Sequence, residues 1–143
     1  MIDSKMMIST SYVPAWQLEH VWDEAKPLLK LAQRRIAGKM TIDDIHTDLK
    51  LSEQQLWMVR VDGKAMAAIT TTLEVHPQCK LMRIMLIGGQ KMPLWLDQSL
   101  CVIKEAARAL GCKTIEADGR LGWAKHAPKC GFKEVTRTYE LEI

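Results

Sequence analysis

The residues best suited to bind an anion form the segment Gly88-Gly89-Gln90-Lys91, between an apolar run and Pro93. Free backbone N–H groups at a helix start, with the positive end of the helix dipole, attract a phosphate, and a lysine adds a positive charge. Pro93 removes one of those donors. A Gly-Gly pair at a strand end is also a common turn, so a phosphate site and a plain turn are both open interpretations.

A second candidate segment is 119–123, which reads Gly-Arg-Leu-Gly-Trp. Arg120 in such a loop can bind a phosphate or a carboxylate through two parallel hydrogen bonds. The two glycines can equally serve a tight turn, and Trp123 is better explained as a core residue. The pattern leaves the role of Arg120 open.

Basic residues recur at Lys26, Lys30 and Arg34, and on one helix they would form a stripe able to meet nucleic acid or an acidic partner. No aromatic residues are interleaved with them, as they are in proteins that bind single strands. The formal net charge of the chain is only +3. We therefore interpret the stripe as a solvated helix face and predict no nucleic-acid partner.

The bulk composition is that of one globular domain, which we expect to span residues 1–143. Its four cysteines form no Cys-x-x-Cys pair and have no histidine at metal-ligand spacing, which predicts free thiols and no metal site. No apolar run reaches membrane-spanning length, and the N-terminal residues lack a signal-peptide core. The sequence predicts a soluble cytoplasmic protein.

The first half of the chain predicts one short strand and three helices. The strand covers 6–12, and helical spacing of apolar residues begins at Pro14. Because proline costs about 3 kcal/mol in a helix interior, Pro27 is expected to break that helix and to start a second one that runs to Ala37. Thr41 is the expected N-cap of a third helix, which ends at Leu49.

The second half predicts a mixed sheet with helices on its faces. Strands are expected at 56–61, 64–75, 81–87, 113–118 and 134–143, with Asp62-Gly63 as a hairpin turn and one long helix between Pro93 and Gly111. The last strand rests on the alternation of apolar and polar residues. Four tryptophans lie within apolar patterns and are expected in the core: Trp16, Trp22, Trp57 and Trp95.

The block from Glu116 to Phe132 ends a strand, makes a glycine turn and places Gly131-Phe132 after a short helix. It resembles the C-terminal half of the GNAT acyltransferase superfamily, and the order of elements is similar to that superfamily from the first helix to Phe132. The resemblance implies an α/β fold, GNAT-like, with a mixed central sheet and helices on both faces. Leu56-Trp57 and Gly88-Gly89 look most like small GNAT-like proteins of phages and prophages.

The same resemblance implies acetyl-CoA as the cofactor. In the superfamily the central strand splays from its neighbour and binds the pantetheine arm through its backbone, which corresponds here to Met85, Leu86 and Ile87. The pyrophosphate would then lie at Gly88, Gly89, Gln90 and Lys91. The superfamily's usual loop, Gln/Arg-x-x-Gly-x-Gly/Ala, is not matched by this segment.

An amine must lose its proton before it attacks a thioester, and by analogy Glu74 is the best-placed base, with His76 beside it. Alternatively, Glu74 is only a charged residue exposed to solvent at the end of a strand, without a catalytic role. The superfamily often has a tyrosine acid four residues before the glycine of its Gly-Phe pair, and this chain has Ala127 there. His126 and Cys130 are nearby.

The sequence thus predicts an N-acyltransferase in which a small-molecule or protein amine attacks acetyl-CoA directly. The alternative is a non-catalytic protein of the same fold that binds phage structural proteins, in virion assembly or as an internal virion protein. That protein would be found in the host cytoplasm or in the virion.

Overall fold

A computed structural model describes residues 6–118 and 127–143. It contains five strands and three α-helices. In chain order they are β1 (Ile8–Val13), α1 (Leu18–Lys30), α2 (Ile42–Lys50), β2 (Gln55–Val61), β3 (Lys64–Val75), β4 (Lys80–Gly89), α3 (Met92–Ala109) and β5 (Thr114–Ala117). Short 3-10 turns cover Ala15–Gln17, Gln33–Arg35 and Ala127–Cys130.

The sheet has the strand order β1-β2-β3-β4-β5. The first four strands form an antiparallel meander, and β5 is parallel to β4 because α3 carries the chain back across the sheet. The turn between β2 and β3 has φ 52° at Asp62 and 81° at Gly63. Both central residues of such a turn need positive φ, which is why Asp-Gly was a strong hairpin signal. The predicted mixed sheet and hairpin are confirmed.

Helices cover both faces of the sheet, as predicted. One core lies beneath α1 and α2 and contains Leu18, Trp22, Leu29, Ile45, Leu56 and Leu86. The other lies beneath α3 and contains Trp57, Val59, Ile69, Met82, Trp95 and Ile103. Three of the four tryptophans expected in the core are there, but Trp16 is 76% exposed, so its prediction was wrong.

The predicted N-cap of α2 is confirmed. The Thr41 hydroxyl accepts from the Asp44 backbone N–H at 3.1 Å, and the Asp44 carboxylate accepts from the Thr41 N–H at 2.9 Å. This reciprocal pair satisfies two donors that the helix leaves without partners.

The predicted helix break at Pro27 was wrong. Helix α1 continues through Pro27 to Lys30, and the predicted second helix is reduced to the turn Gln33–Arg35. Proline has no backbone N–H, so the carbonyl of Asp23, four residues earlier, receives no helix hydrogen bond. Asp23 and Pro27 both lie on the exposed side of α1, where water can donate to that carbonyl. Because the helix ends at Lys30, Arg34 does not continue the basic stripe of Lys26 and Lys30.

The strand predicted at 134–143 was also wrong. These residues belong to no strand, and Val135, Tyr139 and Leu141 are exposed. Alternation of apolar and polar residues specifies which side of a strand is buried, but a strand also needs a neighbour for its backbone. Within the described part of the chain, 134–143 has no such neighbour.

Candidate functional site

Strand β4 has two neighbours over only part of its length. It pairs with β5 from Leu81 to Ile84, whereas its pairing with β3 continues to Gly89. Met85–Gly89 therefore has a neighbour on the β3 side and, among residues 6–118 and 127–143, none on the β5 side. The described part of β5 ends at Ala117, opposite Ile84, so the backbone groups on this side of Met85–Gly89 have no strand partner among the described residues.

A β-bulge between β3 and β4 lies next to the end of the pairing between β4 and β5. Thr70 of β3 is opposite Leu86 and Thr71 is opposite Ile84, so Met85 is an extra residue without a Cα partner on β3. Bulges leave backbone groups outside the ladder and re-aim the residues around them. Met85 is thus the first residue of β4 beyond its described pairing with β5.

Gly88 and Gly89 lie within β4 and not in a loop after it. A β-carbon on Gly88 would be 2.8 Å from the carbonyl carbon of Leu28, and one on Gly89 would be 2.6 Å from the carbonyl oxygen of Met66. Real β-carbons do not approach backbone atoms so closely. Both glycines therefore allow close packing, Gly88 against the backbone of α1 and Gly89 against β3.

The turn from β4 to α3 consists of Gln90 and Lys91. The Gln90 N–H donates to the Met66 carbonyl at 3.2 Å, and the Gln90 carbonyl accepts from Trp95 Nε1 at 2.8 Å. Lys91 is exposed and has φ 55°. Buried Trp95 thus fixes the turn and leaves the Lys91 ammonium in solvent at the start of α3.

At the other end of β4, Arg83 is surrounded by three carboxylates. Its guanidinium donates to Glu74 of β3, to Glu116 Oε1 at 3.0 Å and, at 3.4 Å, to Asp118 Oδ1. The Asp118 backbone carbonyl also accepts a hydrogen bond from Arg35. Sequence reasoning missed this cluster. Arg83 was the only polar residue in an otherwise apolar strand, and such a residue needs counter-charges nearby.

Glu74 is held in its ionised form. Its hydrogen bond from Arg83 lowers the pKa of the Glu74 carboxyl below the ordinary value, against a smaller opposing effect of burial. When His76 Nε2 carries a hydrogen, it donates to Glu74 Oε1 at 3.1 Å, and Nδ1 is then the basic atom of the ring. Backbone bonds with Cys79 in both directions hold His76 in the β3–β4 turn.

The structure places the predicted site residues at opposite ends of β4. Glu74 is opposite Leu81, and Gly88 is seven positions further along, which is roughly 23 Å in a strand. His126, Arg120 and Trp123 lie outside the described residues.

No protein-family model matches the sequence, and no curated protein matches it either. Solved structures do match. A ribosomal-protein-alanine N-acetyltransferase from Brucella melitensis biovar Abortus 2308 aligns with 96% of this chain and 99% of its own, with a TM-score of 0.69 and 11% identity. An aminoglycoside N-acetyltransferase in complex with CoA aligns with 100% and 99%, with a TM-score of 0.68 and 14% identity.

A third match, glucosamine-6-phosphate N-acetyltransferase from Arabidopsis thaliana, covers 95% of this chain and 98% of its own, with a TM-score of 0.64 and 14% identity. No helix in the described part of the chain is long and apolar enough to cross a membrane. At such low identities the similarity concerns the backbone alone. Over nearly its whole length, this chain has the fold of the GNAT acetyltransferases.

Proposed function

We propose that the protein is an acetyl-CoA-dependent N-acyltransferase. The observation that carries this proposal is the side of β4 from Met85 to Gly89 that faces away from β3 and is unpaired among residues 6–118 and 127–143. Backbone groups of Met85, Leu86 and Ile87 on that side bind the pantetheine arm as a neighbouring strand would. The acetyltransferase fold of the similar structures supports the same conclusion, and because those structures are enzymes they give the phage-assembly alternative no support.

The turn after β4 binds the cofactor's phosphates. Lys91 supplies an exposed positive charge, and the start of the 18-residue helix α3 adds the positive end of its dipole. Gln90 shapes the turn through its bonds to Met66 and Trp95. Gly88 and Gly89 contribute by letting α1 and β3 approach β4, so that the unpaired side of the strand is held in place.

With acetyl-CoA bound, an amine would attack the carbonyl carbon of the thioester directly, forming a C–N bond as the C–S bond breaks and CoA leaves as the thiolate. His76 Nδ1 takes the proton from the attacking amine, directly or through a water. Glu74 accepts from His76 Nε2 and so orients the ring, and Arg83 keeps Glu74 ionised. Glu74 is therefore a positioning residue, and its lowered pKa makes it a poorer base than a free carboxylate.

The proposal is tested by isothermal titration calorimetry of the full chain with acetyl-CoA and with acetate as a control. Acetyl-CoA is expected to bind with micromolar affinity, since its phosphates and arm both find partners. Absence of heat with acetyl-CoA at millimolar concentration would remove the proposal. If acetyl-CoA binds, acetyl transfer to a panel of amines, measured by the release of the CoA thiol, identifies the class of acceptor.

A further inference from the structure

The turn that follows α1 places an arginine at a fixed position. This turn is Gln33–Arg35, and the residues on either side of it, Ala32 and Ile36, are buried in the core beneath α1 and α2. The Arg35 N–H donates to the Ala32 carbonyl at 3.0 Å, and the Ile36 N–H donates to the Gln33 carbonyl at 3.0 Å. Because core residues and backbone bonds hold the turn on both sides, the half-buried Arg35 side chain leaves it in a defined direction.

Asp118, the first residue after β5, is bonded to arginines from two other parts of the fold. Its backbone carbonyl accepts a hydrogen bond from the Arg35 guanidinium, and its carboxylate accepts one from Arg83 of β4 at 3.4 Å, which is long for such a bond. The last pairing of β5 with β4 is one residue earlier, between Ala117 and Ile84. Side chains therefore hold the chain at the point where β5 ends, and the bond from Arg35 acts on the main chain itself.

The Arg35 guanidinium binds this carbonyl although carboxylates lie nearby. The three carboxylates at this end of β4 are bonded to Arg83, and within the described residues none of them forms an ion pair with Arg35. A hydrogen bond from a charged donor to a backbone carbonyl is stronger than a neutral one. Backbone groups that have no strand partner need another one, and Arg35 supplies it for Asp118.

The segment that carries Arg35 also contacts the part of β4 to which we assign the cofactor. The backbone of Leu28, near the end of α1, lies against Gly88 of β4. Further along the same segment, Arg35 reaches Asp118 at the end of β5. The residues between Leu28 and Arg35 thus connect the end of β4 with the end of β5, so the position of one strand end is tied to that of the other.

We propose that Arg35 is a positioning residue for acyl transfer. By binding the Asp118 carbonyl, it keeps the end of β5 from pairing further along β4, and the backbone of Met85, Leu86 and Ile87 stays free for the pantetheine arm. This inference rests on the proposed function, which assigns the arm to those three residues. Arg35 acts through the main chain of Asp118 and is therefore not a catalytic residue.

Hydrogen exchange of the full chain without cofactor tests the effect on pairing. Arg35→Met keeps the apolar stem of the side chain and removes its donors. In this variant the amides of Met85–Ile87 are expected to exchange about tenfold more slowly, because the released end of β5 can pair with them. Arg34→Met is the matched control, since it removes the same charge from the adjacent exposed residue and should leave exchange unchanged. Unchanged or faster exchange in Arg35→Met would overturn the proposal.

Kinetics of acetyl transfer test the effect on the cofactor. Arg35→Met should raise the KM for acetyl-CoA about tenfold, because one bond from a charged donor is lost, and should leave kcat unchanged. Arg35→Lys keeps a charged donor and should recover most of the wild-type KM. A fall in kcat at unchanged KM, or no recovery in Arg35→Lys, contradicts the positioning role.

The two readouts separate this inference from the proposed function. If the wild-type chain does not bind acetyl-CoA, the proposed function fails, whereas exchange at Met85–Ile87 still decides whether Arg35 limits the pairing of β5. If the wild type binds acetyl-CoA and Arg35→Met behaves like Arg34→Met in both measurements, the proposed function stands and the role of Arg35 is overturned.

Discussion

The backbone of Leu28 in α1 occupies the space that a side chain on Gly88 in β4 would need, with its carbonyl carbon 2.8 Å from the position of the missing β-carbon. Helix α1 therefore packs directly on the main chain of the strand that carries the proposed cofactor site. The contact holds the unpaired segment of β4 on the face opposite α3.

Gly88→Ala is expected to destabilise the protein by about 2 kcal/mol, the usual cost of overpacking a core position. The clash is with backbone atoms, so adding Leu28→Ala should not restore stability. Urea unfolding of the two variants measures both effects. Recovery of stability in the double variant would mean that the side chain of Leu28 causes the strain.

Stability should fall as the solution becomes acidic. The pKa of Glu74 and that of Glu24 are both lowered, mainly by hydrogen bonds from Arg83 and Arg60 respectively. A carboxyl whose folded-state pKa is depressed contributes its stability above its unfolded pKa, near 4.5 here, and loses it as the pH falls through the folded value.

This pH dependence is measured by urea unfolding between neutral pH and the acid transition. Glu74→Gln removes one of the two titrating groups and should make the curve shallower below pH 4.5. Glu105→Gln is the control, because Glu105 forms an exposed pair with Arg108. An equal change in both variants would contradict a particular contribution from Glu74.

Lys91→Ala should weaken acetyl-CoA binding about tenfold, because a charge-assisted contact to phosphate is worth roughly 1.5 kcal/mol. Its binding should also depend less on salt than that of the wild type. Lys64→Ala, an exposed lysine at the β2–β3 hairpin, is the matched control. Calorimetry at two salt concentrations separates the outcomes, and equal affinities for both variants would exclude Lys91 from the phosphate site.

His76→Ala should lower kcat by about 100-fold, the low end of what a general base provides. Glu74→Gln should lower kcat less than His76→Ala does and should leave KM unchanged, since it removes only the carboxylate that orients the imidazole ring. A kcat equal to that of the wild type in Glu74→Gln would argue against the positioning role.

Thr41→Ala should cost about 1 kcal/mol of folding stability by removing an N-cap. The Asp44 N–H loses its acceptor, and the reciprocal bond from Thr41 to Asp44 loses its geometric support. Thr41→Ser retains the hydroxyl and should remain close to wild type. Thermal unfolding of the two variants makes the comparison.

Local signals in the sequence were sufficient to predict most of the helices and strands. Asp62-Gly63 specified its hairpin and Thr41 its helix, because each acts on neighbouring backbone. Pro27 was misjudged because its cost is local, whereas the benefit of continuing α1 comes from buried Leu29 packing against the sheet. The segment 134–143 was misjudged for the reverse reason: its alternation was clear, but a partner strand is not a property of the segment.

The contacts within the candidate site were harder to predict from the sequence than the fold was. Glu74 and His76 were named, but the residue that controls Glu74 is Arg83. Its contacts to Glu116 and Asp118 depend on the pairing of β4 with β5, in which partner residues are 33 positions apart in the chain. Gly88 and Gly89 left a phosphate site and a plain turn both open, and their close packing against α1 and β3 was not foreseen, because a glycine pair does not distinguish a turn from close packing of two main chains.

The bulge at Met85 shifts the alternation of side chains along β4 by one residue. Before it, even-numbered Met82 and Ile84 point towards α3; after it, even-numbered Leu86 and Gly88 face α1. Because Thr70 and Thr71 of β3 already pair with Leu86 and Ile84, a chain without Met85 would have a regular ladder in which both residues keep their sides. Met85 therefore lengthens β4 by one residue without changing the core that its neighbours join, so the sheet tolerates either length at this point.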